Sequence, residues 1–346
     1  MSTALHSLFE ETLSYLLAPV RSLLADERVS EVMINGPDEI YAEQAGRISR
    51  TELRFADAGA LEAAARGIAQ FSGKRLTPEQ LSLEARLPDG SRVHIVQAPA
   101  ARKGLCIAIR KFARSRLSLG DLVTRGALTE EAAGFLSDAV LARKNIIVSG
   151  GTGSGKTTLL NCLSAQIPEY ERILVIEDTS ELQLQQEHVV QLEAQAPDRF
   201  GESGISIREL FRASLRMRPD RILVGECRGG EALDMIQAMT SGHSGSLSTC
   251  HADTPHDTLA RLEVMSLMSG VELPLAALRA QIASAVHLIV QIARHSDGRR
   301  GVTEIAAVEG LDEHARYRVR TIFHPGDGAH AALVRSTENE SRQHKS

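Results

Sequence analysis

Tryptophan is absent from this 346-residue sequence, and only four Tyr and eight Phe are present. That leaves few rings on which single-stranded bases could stack. Nor is there an excess of positive charge: 39 Lys and Arg stand against 44 Asp and Glu, a formal net charge of −5. An acidic chain carries no overall electrostatic footprint for a polyanion, so no direct nucleic-acid contact is expected. The four cysteines, Cys106, Cys162, Cys227 and Cys250, form no CxxC pair. Their scatter argues against a zinc site or a disulfide framework, and for a reducing cytoplasm. No run approaches the ~20 apolar residues needed to span a bilayer. The N-terminus, MSTALHSLFEE, has no basic region of the kind that opens a signal peptide. Work at a membrane is therefore expected to run through partners.

What is present divides the chain in two. Leu5, Leu8, Phe9, Leu13, Leu16, Leu17, Val20, Leu23 and Leu24 recur at three- and four-residue spacing, which predicts one amphipathic helix. Short strand-like runs follow: EVMIN, EIYAEQ, RISRTELRF, then LEARLP and SRVHIVQ around a Pro88-Asp89-Gly90 turn, and LCIAIRKF. A helix is predicted between them at about residues 60–71. These runs give an N-terminal α/β domain over 1–112 and a basic linker over 113–127. From about Leu128 the rhythm becomes strand–helix alternation, with NIIVSG, RILVIED, RILVGE and SLSTC as β-rich runs. Such alternation predicts a mostly parallel sheet covered by helices over 128–325, and 326–346 reads as a polar tail.

GGTGSGKTT satisfies G-x-x-x-x-G-K-[ST] and sits between the apolar run NIIVS and the helical TTLLNCL. Glycines let backbone N–H groups curl around phosphate oxygens, and the helix that follows adds its positive N-terminal end. The nucleotide-binding set is Gly150, Gly151, Thr152, Gly153, Ser154, Gly155, Lys156, Thr157 and Thr158. Lys156 is expected to reach the β- and γ-phosphates of ATP, and the Thr157 hydroxyl to ligate Mg²⁺. Hydrolysis further needs a carboxylate to orient water and help hold the metal. RILVGE puts Glu226 at the end of an apolar strand, where it serves as the catalytic carboxylate and as a metal partner through water. Many P-loop ATPases carry Asp-Glu here, whereas this chain has Gly225-Glu226. RILVIEDTSE adds Glu177, Asp178 and Glu181 at a second strand end, and SGHSGSLSTCHADTP adds His243 and His251. A neutral imidazole can donate to a γ-phosphate or sense its loss.

The P-loop, IEDTSEL and LRMRPDRILVGECRGGEALDMIQAMTSGHSGSLSTCHADTP together resemble the secretion and pilus-assembly traffic ATPases of type II and type IV systems. SEVMINGPDEIY, LPDGSRV and IAIRKF extend the resemblance over nearly the whole chain. The branch it looks most similar to is the CpaF-like ATPases of the tight-adherence (Tad/Flp) pilus. A conjugation-type traffic ATPase moving protein or DNA is the alternative. The resemblance implies an α/β fold: a RecA-like P-loop core with a smaller, PAS-like N-terminal domain. It implies ATP hydrolysis with Mg²⁺ in a homo-hexameric ring, cytoplasmic and peripheral at the inner membrane, docked on pilus or secretion platform proteins. Glu177 and Asp178 match the family's acidic box, Glu226 its second acidic motif, and His243 to His251 its histidine box. Arg92 and Arg110, with Arg86 as a further candidate, match the arginines that the N-terminal domain supplies to the nucleotide.

Overall fold

The computed structural model describes residues 3–44, 46–112, 117–195, 204–295, 297–325 and 331–333, and the chain divides into two units, 1–115 and 116–346. In the first unit, α1 (Thr3–Leu16) and α2 (Arg21–Ala25) lead into β1 (Val29–Ile34), β2 (Ile40–Gln44) and β3 (Arg47–Arg50). Then come α3 (Ala58–Phe71), β4 (Ser82–Arg86), β5 (Arg92–Val96) and β6 (Cys106–Arg110).

The apolar stripe predicted as one helix is broken. Pro19 has no amide hydrogen and a fixed φ, and the chain makes a short 3-10 turn at Ala18–Val20 between the two helices. The stripe nevertheless turns inward, with Leu13, Leu17 and Val20 buried. At roughly 1.5–3 kcal/mol per buried aliphatic side chain, that set outweighs the loss of helical continuity. The strands form one antiparallel sheet in the order β3-β2-β1-β6-β5-β4. β3 ends at Arg50, so the TELRF part of the predicted third strand lies outside it. Val32, Ile34, Val93, Ile95, Ile107 and Ile109 pack with Leu61 and Ile68 of α3. The two-residue period then sends Glu31, Arg110, Arg92 and Arg86 to the other face, in register across β1, β6, β5 and β4.

The second unit begins earlier than the predicted linker allows. Within the described part of 113–127, Ser118 and Asp121 close a reciprocal cap on α4 (Leu119–Thr124), and Leu119 and Leu122 join the same core as Leu128. The elements that follow are α5 (Glu130–Leu141), β7 (Ile146–Ser149), α6 (Lys156–Ser164), β8 (Ile173–Glu177) and β9 (Val189–Glu193). Next are α7 (Ile207–Ser214), β10 (Arg221–Val224), α8 (Glu231–Thr240), β11 (Leu247–Cys250), α9 (Pro255–Leu267) and α10 (Leu275–Ala285). β12 (Leu288–Arg294), β13 (Arg300–Leu311), β14 (Tyr317–Pro325) and β15 (Ala331–Leu333) complete it. The rest of the predicted tail lies outside the described residues.

Among the described residues these strands form one sheet, β15-β14-β13-β12-β7-β11-β10-β8-β9. From β12 to β9 the neighbours run parallel, and β13 to β15 add antiparallel strands at one side. Every residue of β7, β8, β10 and β11 is buried, which is why none of them alternates between apolar and polar and why β7, β8 and β10 carry near-continuous aliphatic runs. Ile146 and Val148 enter one apolar layer with Leu136, Leu159 and Leu160. Ile147 enters the other with Ile222, Ile236 and Leu259. At the N-terminal ends of the strands, Asn145 Oδ1 accepts from the Gly245 and Ser246 N–H groups at 2.7 and 3.1 Å. Beside it, fully buried Arg221 pairs with Glu171 and donates to the Val140 carbonyl at 2.9 Å. This base fixes the strand ends, and the opposite ends carry the loops. Among the described residues no helix is long and apolar enough to cross a membrane.

Candidate active site

Parallel strands deliver their C-terminal loops to one edge of the sheet. Ser149 pairs in register with Cys250, while Val224 is matched to Ser248 on one side and Ile176 on the other. The P-loop, His251, Glu226 and Glu177 therefore follow one another in the order β7, β11, β10, β8.

The loop between β7 and α6 needs glycine at two points for different reasons. At Gly150 an added Cβ would lie 2.1 Å from the Ile292 carbonyl oxygen, so only a bare Cα fits against β12. Gly155 has φ +103° at the start of α6, a left-handed conformation that side chains disfavour. The loop turns back on itself: Ser154 Oγ donates to the Gly151 carbonyl at 2.9 Å. The buried Lys156 ammonium donates to the Gly150 and Gly151 carbonyls at 3.0 and 2.9 Å.

Lys156 Nζ also lies 3.2 Å from His251 Nδ1, and His251 Nε2 lies 3.1 Å from Glu226 Oε1. An ammonium only donates, so Nδ1 must be the bare nitrogen and Nε2–H the donor to Glu226. Burial, and then the nearby Lys156, Arg228 and Arg261 cations, lower the His251 pKa against the opposing pull of Glu226. The ring is thus kept neutral, in one tautomer, between the P-loop lysine and the strand-end carboxylate.

Arg228, which was not nominated from the sequence, and Glu181, one of the acids of the second strand end, complete the arrangement. Arg228 donates to Glu226 Oε2 at 3.0 Å and to Asp178 Oδ2 at 3.2 Å, joining the two acidic strand ends. Its signal was the cation two positions after Glu226 in GECRGGE. The Thr157 hydroxyl donates to Glu181 Oε2 at 3.2 Å, so it is Glu181 that stands beside the expected Mg²⁺ position. A hydroxyl and a carboxylate are hard oxygen donors of the kind Mg²⁺ takes. Among the described residues no group of three or more His, Cys, Asp and Glu is placed to hold a metal, so the remaining ligands would be nucleotide oxygens and water.

Glu177 points elsewhere. Its Oε1 accepts from the Glu181 and Leu182 N–H groups at 2.9 and 3.0 Å. Burial raises its pKa to about 7 against those two hydrogen bonds. His243 is not brought to the P-loop. It lies in the turn before β11, and the four-residue strand, roughly 13 Å at ~3.3 Å per residue, separates it from His251. Its N–H donates to the Ala238 carbonyl at 3.1 Å. Arg92 and Arg110 face each other across β5 and β6 in the first unit, with Arg86 beyond Arg92.

A glycine loop, a buried lysine, a helix N-terminus and a carboxylate held through a neutral imidazole make up a P-loop site at the edge of a parallel sheet. The chain belongs to the family described as Type II/IV secretion system protein, whose model matches residues 15–326. It is similar to the putative conjugal transfer protein Rv3659c of Mycobacterium tuberculosis, 35% identical over 312 residues that cover 88% of each chain. It is also similar to the type IV secretion system protein PtlH of Bordetella pertussis, 36% identical over 332 residues, 87% of this chain and 97% of that one. Among solved structures, the pilus retraction motor PilT with bound ADP shares the fold, with a TM-score of 0.60 at 19% identity over 88% of this chain and 84% of that one. These likenesses favour the conjugation-type alternative over the tight-adherence pilus branch. Both relatives are named for conjugal transfer or type IV secretion, and neither for a tight-adherence pilus.

Proposed function

We propose that this chain is an ATP-hydrolysing traffic motor of a conjugation-type or type IV secretion machine, moving protein or DNA. The observation that carries the reading is the chain Lys156–His251–Glu226 at the mouth of the P-loop. Phosphate oxygens entering the loop offer Lys156 better acceptors than two backbone carbonyls, because the new hydrogen bonds join full charges. Lys156 then leaves His251 Nδ1, and the imidazole is released to report on the γ-phosphate. Glu226, held from both sides by His251 and Arg228, accepts the proton of the attacking water and fixes its direction. Mg²⁺, when bound, would neutralise charge developing on the phosphates, and Thr157 and Glu181 are the protein groups that would hold it.

The second unit is proposed as RecA-like and the first as PAS-like, with Arg92 and Arg110 contributed to the phosphates from the first. Six copies in a ring would let each nucleotide bias one arrangement of units over another, a population shift passed to inner-membrane platform proteins. Substrate transfer in a host lacking this chain provides the test. Wild type restores transfer, and Glu226→Gln, which keeps the shape of the side chain, does not. Full transfer supported by Glu226→Gln contradicts the reading.

A further inference from the structure

Two of the three acids at and after the end of β8, Glu177 and Glu181, have different surroundings, and the difference assigns them different work. Glu181 Oε2 lies beside the Thr157 hydroxyl. Glu177 is buried at the end of β8, and one of its oxygens takes two consecutive backbone N–H groups, those of Glu181 and Leu182.

The stretch 178–183 has no regular secondary structure, so its amides have no ladder to satisfy them. Its hydrogen bonds are made to side chains. Gln183 N–H donates to Asn161 Oδ1 of α6 at 2.8 Å, and the Leu182 carbonyl accepts from Gln191 Nε2 of β9 at 3.1 Å. Glu177 supplies a further anchor, and it sits immediately before the stretch. With Leu182 buried, loss of that acceptor strands an N–H away from water, and the segment must move to satisfy it.

Space for this anchor is made by Gly225. A Cβ at that position would stand 2.9 Å from Glu177 Cγ and 3.2 Å from its Oε1. Any side chain at 225 and Glu177 in its present rotamer exclude one another.

We infer that Glu177 is a positioning residue: seated over Gly225, its carboxyl folds residues 178–182 so that Glu181 is presented to Thr157. The inference rests on the nucleotide-hydrolase reading of the site and changes the part Glu177 plays in it. The work is done by an acceptor oxygen rather than by charge, which an amide oxygen can replace.

The test compares Glu177→Gln, Glu177→Ala, Gly225→Ala and Glu181→Gln as full-length protein. Three quantities are read: backbone amide exchange over 178–183, the gain in affinity for a fluorescent ATP analogue on adding Mg²⁺, and kcat. Glu177→Ala and Gly225→Ala are expected to exchange faster in that segment and to lose the Mg²⁺-dependent gain, while binding the analogue in EDTA as wild type does. Their kcat falls roughly 100-fold, the scale of a 1 Å misplacement in an active site. Glu177→Gln keeps the segment protected and stays within about threefold of wild-type kcat, since an amide oxygen preserves the acceptor. Glu181→Gln keeps the segment protected but loses the Mg²⁺-dependent gain.

Glu177→Gln as inactive as Glu181→Gln, with the segment still protected, overturns the inference and returns Glu177 to a role exerted by its charge. Gly225→Ala with unchanged exchange and an unchanged Mg²⁺ response overturns it as well, and this does not depend on whether Glu177→Ala folds. Wild-type protein that binds no nucleotide sinks the parent reading instead, and the exchange comparison still decides what Glu177 does.

Discussion

Replacing His251 with alanine removes a side chain that touches both the P-loop lysine and the strand-end carboxylate. The hydrogen bond from Nε2–H to Glu226 joins a neutral donor to a charged acceptor, a class that contributes about 1.5–3 kcal/mol. If that energy goes into aiming Glu226, its loss lowers kcat by roughly 10- to 100-fold. The phosphate cradle is backbone and Lys156, both left in place, so the KM for ATP should stay within about threefold. Steady-state hydrolysis of ATP by wild type and His251→Ala at saturating Mg²⁺ reads both parameters. A pH series adds an independent arm. Burial lowers the His251 pKa below its usual 6.5, so the ring stays neutral through neutral pH and takes up a proton only below that value. In the free enzyme protonation removes the acceptor facing Lys156 and sets cation against cation, so wild-type kcat/KM, which reports that state, should fall on the acid side of about 6.5. In His251→Ala the remaining acid limb should lack this component. A His251→Ala kcat within twofold of wild type, with the same pH profile, refutes the relay.

Arg228→Gln should have a smaller effect. The Arg228 side chain is 56% exposed and its ion pair with Glu226 is open to water, so about 0.2–1 kcal/mol, a loss of kcat of at most about fivefold, is the expected range; a 100-fold loss would place Arg228 on the reacting phosphates. Arg221→Met at the base of the sheet strips the buried cation from Glu171, to which the half-exposed Arg143 still reaches at 3.2 Å, and takes one donor from each of the Val140 and Gly245 carbonyls. Such a break costs about 3–5 kcal/mol, which in a unit of this size lowers the melting temperature by roughly 6–20 °C in a thermal denaturation scan. A melting temperature within 2 °C of wild type would contradict the burial argument.

How far the sequence disclosed this arrangement depends on how local each cause is. The P-loop is a contiguous motif whose flanking strand and helix are equally contiguous, and it was legible residue by residue. β7, β8 and β10 were legible because burial on both faces leaves their central residues a continuous aliphatic run, and β11 because Leu-Ser-Thr-Cys is small and β-prone between turn signals. The helix stripe misled because period alone says nothing about Pro19, whose missing N–H stops a helix that the leucines would continue. β9 and β12 to β15 went unread, since half-buried or late strands are defined by partners far along the chain. In the site, His243 and His251 belong to one motif, yet a four-residue strand between them puts one at each end of the sheet. Arg228 and Glu181 gain their roles from loops that meet only after folding. The same holds for Gly225, which reads as a missing carboxylate until Glu177 is seen above it.

The most direct measurement is ATP turnover by the purified chain, with Lys156→Ala and Glu226→Gln alongside and the oligomeric state of each sample recorded by light scattering. A motor of this design turns over ATP as a hexamer, and both variants lose at least about 100-fold of that activity. Glu226→Gln keeps its affinity for ATP, whereas Lys156→Ala does not. Undiminished hydrolysis by Glu226→Gln, or a well-formed wild-type hexamer that binds no ATP, would contradict the assignment of the P-loop edge as the seat of the chemistry.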